Sequence, residues 1–158
     1  MRKQPNSRKC FVCGLQNPVG LKLVFYEDAE AEQVRAEFVV SDEYQGYPGV
    51  AHGGIISAVL DEIAGRAILL HGDDDDLMAT LRLTVRYRRP TPTETPLTAV
   101  GWVERIGGVG AQVAGEIRLA DGTVTAECES VLGSVPESFR ANWAEEKAYW
   151  KVYESGGS

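Results

Sequence analysis

Two short stretches near the start of the chain predict β-strands: residues 21–26 are apolar apart from Lys22, and residues 34–40 alternate before they turn fully apolar. The acidic and polar residues 28–33 between them are typical of a hairpin turn. Residues 41–51 contain two glycines and a proline, which indicates a long loop. Because long loops in compact domains commonly carry function, we expect this loop to contribute to a site.

One long helical pattern begins directly after that loop. Apolar residues recur with the spacing of one buried helix face, at Ile56, Val59, Leu60, Ile63, Ala67 and Leu70. This spacing predicts a helix over residues 54–71, with Gly72 as a left-handed C-terminal cap. No serine or aspartate caps its start. His52, Gly53 and Gly54 stand there instead, so the first helix amides need another partner.

The second half of the chain has the alternation of strands. It predicts four of them, over residues 78–88, 97–106, 111–119 and 123–133. In the first of the four, one face carries Leu81, Leu83, Val85 and Tyr87, and the other carries Arg82, Thr84, Arg86 and Arg88. Residues 107–108 and 121–122 are typical of hairpin turns, so we expect the four strands to form an antiparallel meander.

The order strand, strand, helix and four strands predicts an α+β fold in which a sheet wraps one long helix. The C-terminal residues 137–153 carry aromatic side chains at roughly helical spacing. These are Phe139, Trp143, Trp150 and Tyr153. We therefore expect a short C-terminal helix that docks on the domain or on a partner subunit.

Composition and charge narrow the class of protein. The chain has 158 residues, 44% hydrophobic and 25% charged, which predicts a single globular domain over residues 1–158. Its core is expected over about residues 20–135, between a lead-in over residues 1–19 and the extension over 137–153. A net charge of −7 without a long basic run argues against nucleic acid or an anionic membrane as partner. Three cysteines without a visible export signal favour reduced thiols and a cytoplasmic location.

The predicted helix start has the chemistry of an anion or oxyanion site. Gly53 and Gly54 offer backbone amides with the helix dipole behind them and no Cβ to obstruct a ligand. Such amides suit a phosphate, a carboxylate or the oxygen of a carbonyl that becomes an oxyanion. We expect His52 mainly to stabilise the junction between loop and helix, because this geometry calls for the glycine amides rather than the imidazole.

Asp61, nine residues after His52, is the candidate acid of the helix. It shares a helix face with Gly54, Ala58 and Gly65, and such small neighbours leave open space beside a carboxylate. That space suits either a substrate groove or a hydrogen-bonded interfacial aspartate. The adjacent Glu62 precedes Arg66 by four residues and is interpreted as half of a surface ion pair.

These residues carry a resemblance to a known family. The run GVAHGGIISAVLDE, preceded by QGYPG, resembles the hotdog-fold acyl-CoA thioesterases in their phenylacetyl-CoA thioesterase (PaaI-like) branch. Residues 10–14 (CFVCG) and 17–21 (NPVGL) are similar to a lead-in of many members, and residues 87–90 (YRRP) match the end of the strand after the helix. The resemblance spans about residues 10–135 and implies a six-stranded antiparallel sheet wrapped around one central helix.

The resemblance also implies an activity, which is the hydrolysis of an acyl-CoA without a metal or an organic cofactor. It further implies roles for the site residues. Gly53, with Gly54 beside it, matches the position whose amide polarises the thioester carbonyl. Asp61 matches the carboxylate that acts as general base or as nucleophile on substrate bound across a dimer interface. The resemblance thus predicts a homodimer, with pairing of two dimers as an open alternative. The candidate catalytic set is Asp61, Gly53, His52 and Gly54.

Four further residues are candidates for substrate binding. Thr80 matches a Ser or Thr that positions water in relatives. Relatives with a shorter loop carry Asn or Gln where this chain has Gly46, so Gln45 takes that role if the loop is one residue longer. Arg88 and Arg89 adjoin the proline-rich turn and could contact the phosphates of coenzyme A, whereas Arg82 and Arg86 fit a solvated sheet face.

Other signals leave alternatives open. Cys10 and Cys13 form a CxxC, but a closed zinc site needs four ligands, and only Cys128, His52 and His71 remain. We therefore interpret the pair as part of a lid or packing segment, with a redox pair as an alternative and no metal site assigned. For the whole protein, the alternatives to a thioesterase are a non-catalytic acyl-CoA or acyl-carrier binding module and an enoyl-thioester hydratase.

Overall fold

The computed structural model describes residues 1–73, 77–108 and 110–154. The strands are β1 (Arg2–Lys3), β2 (Tyr26–Asp28), β3 (Gln33–Phe38), β4 (Met78–Tyr87), β5 (Leu97–Gly107), β6 (Gly110–Leu119) and β7 (Val124–Ser134). The helices are α1 (Gly53–Arg66) and α2 (Glu137–Glu146), with 3₁₀ turns at Asp42–Tyr44, Ala67–His71 and Lys147–Tyr149. The predicted α+β class, the long helix and the short C-terminal helix are confirmed.

All seven strands form one antiparallel sheet in the order β1-β2-β3-β5-β6-β7-β4. Five of the six predicted strands are present as β3 to β7, while the first is reduced to the three-residue β2, and the two-residue β1 adds a further strand at one edge. The predicted meander is wrong at one connection, because β4 pairs with β7 while β5 pairs with β3. Residues 88–96 connect β4 to β5, which are not neighbours in the sheet, instead of forming a hairpin turn. The alternation of apolar and polar residues within a strand does not specify which strand it pairs with.

The first predicted strand, over residues 21–26, is also mostly wrong. Its apolar residues do point inward, with Leu23 and Phe25 buried. Their backbone, however, bonds to the lead-in, since Leu23 N–H donates to the Val12 carbonyl and the Gln4 N–H donates to Phe25. Lys22 adopts a left-handed φ of 54°, which interrupts a regular strand. Only from Tyr26 does this segment enter the sheet.

Helix α1 packs against strands β3 to β7 of the sheet. Ile56, Val59, Leu60 and Ile63 are at most 1% exposed, as the apolar spacing predicts. The contact is close at Gly101 of β5, where a Cβ would overlap the Ile63 carbonyl. A side chain at that position would therefore push the helix off the sheet.

The helix ends differently from the prediction. Its last turn tightens into the 3₁₀ segment Ala67–His71, and Gly72 has an extended φ of −155° rather than a left-handed one. The N–H of Ala67 donates to the carbonyls of Ala64 and Gly65, which satisfies orphan acceptors without a glycine cap.

The C-terminal segment docks on the same helix. Trp150 lies over the Arg66 guanidinium at 5.0 Å, and Trp143 packs edge-on against Trp150 at 5.7 Å between ring centroids. A backbone bridge between Lys151 and Asn6 fixes the end of the segment. None of the helices in the described part of the chain is both long and apolar enough to cross a membrane.

Candidate functional site

The imidazole of His52 caps the start of α1. Its Nδ1 accepts a hydrogen bond from the Gly54 N–H at 2.9 Å, and the His52 backbone is extended as an N-cap residue requires. The Gly54 amide is therefore engaged and is not the bare donor expected beside Gly53. The Gly53 N–H makes no hydrogen bond to any residue that the structure describes. Gly53 thus supplies the free amide at the positive end of the helix dipole.

A cavity of about 620 Å³ opens in front of this amide. Its wall combines the loop at Gly46 and Tyr47, the helix start at Gly53, and the end of β4 with Arg88 and Arg89. The cavity is large enough for a substrate-sized group. The loop, the glycine and the two arginines singled out from the sequence are therefore brought together in space.

Gln45 is not among the residues that line this cavity. Its Oε1 accepts a hydrogen bond from the Gly49 N–H at 3.2 Å, across a turn in which Gly49 has a φ of 77°. The Gln45 side chain therefore turns toward its own loop and stabilises the turn at Gly49.

Tyr87 is a site residue that the sequence reasoning assigned only to a strand face. Its hydroxyl donates to the Gly53 carbonyl at 2.7 Å and lies 2.6 Å from Ser57 Oγ. Because the single Tyr87 proton is used on Gly53, the Ser57 hydroxyl is the donor of the second bond. Tyr87 thus ties the end of β4 to the peptide that carries the free amide. Its place at the end of the predicted strand, directly before Arg88 and Arg89, was the signal that the sequence offered.

Asp61 and Thr80 are brought together on α1 and β4. Thr80 Oγ1 donates to Asp61 Oδ1 at 2.7 Å. Simple alternation would place Thr80 on the face opposite Leu83 and Tyr87. The pairing of β4 with β7 shifts register between Thr80 and Arg82, and this bulge turns Thr80 toward the helix. Leu81, at the bulge, is 67% exposed, which separates it from Leu83 and Val85, with which the alternation had grouped it.

Open space does lie beside Asp61. A Cβ built at Gly65 meets no atom within 4 Å, and a cavity of about 170 Å³ includes Asp61, Gly65 and Thr80 in its wall. This cavity is separate from the one at Gly53. Asp61 lies eight residue steps after Gly53 on the helix, about 12 Å along the axis. Within this chain the Gly53 amide and the Asp61 carboxylate therefore belong to two different cavities.

The two arginines beside the larger cavity differ in their partners. Arg88 donates to Glu127 at 2.7 Å, and this bond lowers the pKa of the Glu127 carboxyl below its ordinary value. Arg86 lies 3.9 Å from the same carboxylate, in line with a solvated, acid-paired sheet face. Arg89 forms no ion pair with the residues that the structure describes. Of the two, Arg89 is therefore the one whose guanidinium is not held in an ion pair, although its charge does act on the Asp121 carboxylate.

The predicted pair of Glu62 and Arg66 exists but is not at the surface. Arg66 Nε donates to Glu62 Oε1 at 2.9 Å, and Arg66 is only 4% exposed. Phe25 covers one side of the guanidinium at 4.1 Å, and Trp150 adds a second aromatic ring. The covering residues come from the segment before β2 and from the C-terminal segment, so the helical spacing alone did not reveal this burial.

Comparison with known proteins agrees with this architecture. The family model of the thioesterase superfamily matches residues 48–126. The acyl-coenzyme A thioesterase THEM4 of Rattus norvegicus is 23% identical over 106 residues, 67% of this chain and 44% of that protein. The chain thus spans less than half the length of this curated relative.

Two solved structures show the same fold. A thioesterase superfamily protein is 34% identical with a TM-score of 0.73, over 79% of this chain and 63% of the other. A phenylacetic acid degradation-related protein from Ralstonia eutropha JMP134 is 25% identical with a TM-score of 0.63, over 72% of this chain and 85% of the other.

Proposed function

The chain belongs to the thioesterase superfamily, and we propose that it hydrolyses an acyl-CoA thioester to a free acid and coenzyme A. The observation that carries this proposal is the Gly53 N–H, a helix N-terminal amide without a partner among the described residues, at the wall of a cavity of about 620 Å³. An amide in this position stabilises negative charge that develops on a carbonyl oxygen. The name of the curated relative, an acyl-coenzyme A thioesterase, supports the substrate class.

In the proposed reaction, the thioester carbonyl oxygen accepts a hydrogen bond from Gly53. One such donor contributes about 10²–10³-fold to the rate of acyl transfer. Asp61 supplies the second half of the chemistry, either by taking a proton from the attacking water or by attacking the carbonyl itself. Proton transfer to a positioned base contributes about 10²–10⁴-fold. Thr80 holds one Asp61 oxygen and leaves the other for the reaction.

We propose that a second copy of the chain completes the site. The separation of about 12 Å between Gly53 and Asp61 along α1 prevents both from reaching one carbonyl within a subunit. Strand β4 lies at the end of the sheet and exposes Leu81 and Tyr87. An exposed edge with apolar side chains is suited to pairing with another strand. A homodimer through β4 would bring Asp61 of one copy toward Gly53 of the other.

The arginines beside the larger cavity fit the nucleotide part of the substrate. Arg89, without an ion pair among the described residues, is proposed to bind a phosphate of coenzyme A. Arg88 shares its charge with Glu127 and is proposed as the weaker contact.

The first test is thiol release from a panel of acyl-CoAs by the native protein and by Asp61→Asn. We expect the variant to lose at least about 10²-fold in kcat, because the amide cannot accept the proton or attack. Glu37→Gln, which neutralises an exposed acid on β3, is the matched control and is expected to retain full activity. Absence of turnover with every acyl-CoA, in a protein that binds them, would instead assign a binding module.

A further inference from the structure

A second cluster of chemically reactive side chains lies outside the proposed active site. The Sγ atoms of Cys10 and Cys13 and a carboxylate oxygen of Glu62 all lie within 4.8 Å of one another. Cys10 Sγ and Glu62 Oε2 are 3.9 Å apart. Zinc bonds of about 2.3 Å to sulfur and 2.0–2.2 Å to oxygen place tetrahedral donors about 3.6–3.8 Å apart. The three donors therefore need to approach by at most about 1 Å to share one ion.

The lead-in loop is shaped around the sulfur of Cys10. The N–H groups of Val12 and Cys13 point to Cys10 Sγ at 3.4 and 3.5 Å. The Gly14 N–H donates to the Cys10 carbonyl at 2.8 Å, and a Cβ at Gly14 would overlap the backbone of Cys10. This tight turn directs both sulfurs to the same side, toward α1. Backbone N–H donors of this kind stabilise a negatively charged sulfur ligand.

Binding of a divalent cation would also leave the charges around the cluster balanced. Glu62 gives Oε1 to the buried Arg66 and directs Oε2 to Cys10. Arg66 and Glu62 balance each other, so two thiolates would add two uncompensated negative charges beside α1. Buried charges persist only when they are paired or coordinate a metal. A divalent cation restores neutrality.

We propose that Cys10, Cys13 and Glu62 bind one zinc-type divalent cation, with the fourth position taken by water. The ligands come from the lead-in and from α1, which are 52 residues apart at Cys10 and Glu62. The ion therefore fastens the lead-in to the helix that carries Asp61. The sequence analysis counted only cysteines and histidines as zinc ligands, and it therefore missed the carboxylate of Glu62. Three protein ligands and one open position are a known zinc arrangement.

The experiment is metal titration of the reduced full chain after treatment with a chelator. Co²⁺ is expected to bind with a stoichiometry of one and to give thiolate-to-cobalt charge-transfer absorption with the visible bands of tetrahedral cobalt. Zn²⁺ is expected to displace it. At Zn²⁺ about a hundredfold above Kd, the Tm is expected to rise by about 5–10 °C.

Variants identify the ligands. We expect the charge-transfer band to be lost in Cys10→Ser and in Cys13→Ser. Glu62→Gln is expected to weaken Co²⁺ binding by at least about tenfold, because even residues that only hydrogen-bond to a metal ligand contribute about that much to metal affinity. Cys128→Ser, which alters a buried thiol outside the cluster, is the matched control and should bind as the native chain does. Each variant is first checked for an unchanged circular dichroism spectrum. If Cys13→Ser does not fold, the other two variants still decide the test, because Cys10 and Glu62 are partly exposed.

Two results would overturn the proposal. One is an equal metal affinity in the native chain, Cys10→Ser and Glu62→Gln. The other is that the reduced chain binds no Co²⁺. If Cys10 and Cys13 then form a disulfide on exposure to oxidised glutathione, the two residues are a redox pair. Both readouts are independent of thioester hydrolysis, so they stand or fall separately from the proposed function.

Discussion

Asp61 is held by one hydrogen bond among the described residues, and that bond occupies only one of its two oxygens. Thr80 Oγ1 donates to Oδ1 at 2.7 Å, while Oδ2 has no hydrogen-bond partner among residues 1–73, 77–108 and 110–154. A base that is fixed in one orientation needs less reorganisation to reach the transition state. Thr80 therefore acts as a positioning residue for the carboxylate in the proposed reaction.

Replacing Thr80 separates its hydroxyl from its shape. Thr80→Val keeps the branched side chain but removes the donor, and we expect kcat to fall about tenfold with little change in KM, as for loss of an interaction made in the transition state. Thr80→Ser keeps the donor and should stay close to the native kcat. Steady-state hydrolysis of the best acyl-CoA measures both. An equal loss in the two variants would mean that the hydroxyl plays no part.

The thiol of Cys128 illustrates how burial controls reactivity. Burial, followed by the negative charge of Asp61, raises its pKa to about 12. Since only the thiolate reacts with iodoacetamide, about one thiol in a thousand is reactive at pH 9. We expect mass spectrometry to find Cys128 unmodified at that pH in the native chain and modified in urea. Rapid labelling of the folded chain at Cys128 would contradict the buried position.

Among the elements, the start of α1 combines a cap with a free amide. The His52 imidazole satisfies the Gly54 N–H, and Tyr87 binds the Gly53 carbonyl from β4. Both contacts leave the Gly53 N–H unused. The helix start is thus fixed from two directions while its dipole faces the cavity.

Loss of the cap should be visible as lost stability. His52→Ala removes the acceptor for the Gly54 N–H, and we expect the free energy of unfolding to fall by about 1 kcal/mol. For a chain of this size the Tm should fall by about 2–4 °C. His52→Asn retains a strong N-cap and is expected to unfold near the native Tm in thermal melts. If the Asn variant melts as early as the Ala variant, His52 contributes through something other than capping.

Across the whole molecule, the proposed catalytic groups are separated along one helix, with Gly53 at its start and Asp61 in its second half. Gly53 belongs to the larger cavity and Asp61 to the smaller one. A symmetric pairing of two copies would form two identical sites, each with one group from each copy. This arrangement can be tested by combining two inactive variants.

Gly53→Pro removes the amide with little disturbance of the helix. Proline is favoured at the first helical position, and the extended His52 backbone (φ −57°, ψ 135°) suits a residue before proline. We expect Gly53→Pro and Asp61→Asn each to be nearly inactive. When equal amounts are unfolded and refolded together, half of the dimers are mixed and each has one intact site. The recovered activity should therefore be about one quarter of the native value.

Gly53→Ala keeps the N–H and is the control for added bulk, since its Cβ would lie 3.4 Å from the Tyr87 hydroxyl. Mixed dimers can be counted by native mass spectrometry with one variant isotopically labelled. Mixed dimers without recovered activity would place both groups in one subunit or assign the catalysis to other residues.

Much of the local structure could be predicted from the chain because it depends on neighbouring residues. The spacing of Ile56, Val59, Leu60 and Ile63 predicted the buried face of α1, and all four are buried. The alternation of residues 97–106 and 111–119 predicted β5 and β6 to within one residue at each end. In the same way, the glycines after His52 predicted the helix start as a candidate site.

Sequence by itself therefore determined the α+β class, the long helix and the candidate positions Gly53 and Asp61. Only the tertiary structure decided that β4 pairs with β7, that a bulge turns Thr80 toward Asp61, that Tyr87 holds the Gly53 carbonyl and that Glu62 faces Cys10. The physical reason is the range of the interactions. Helical and strand periodicity follow from backbone geometry over a few residues, whereas strand order, bulges and side-chain clusters depend on packing between segments far apart in the chain.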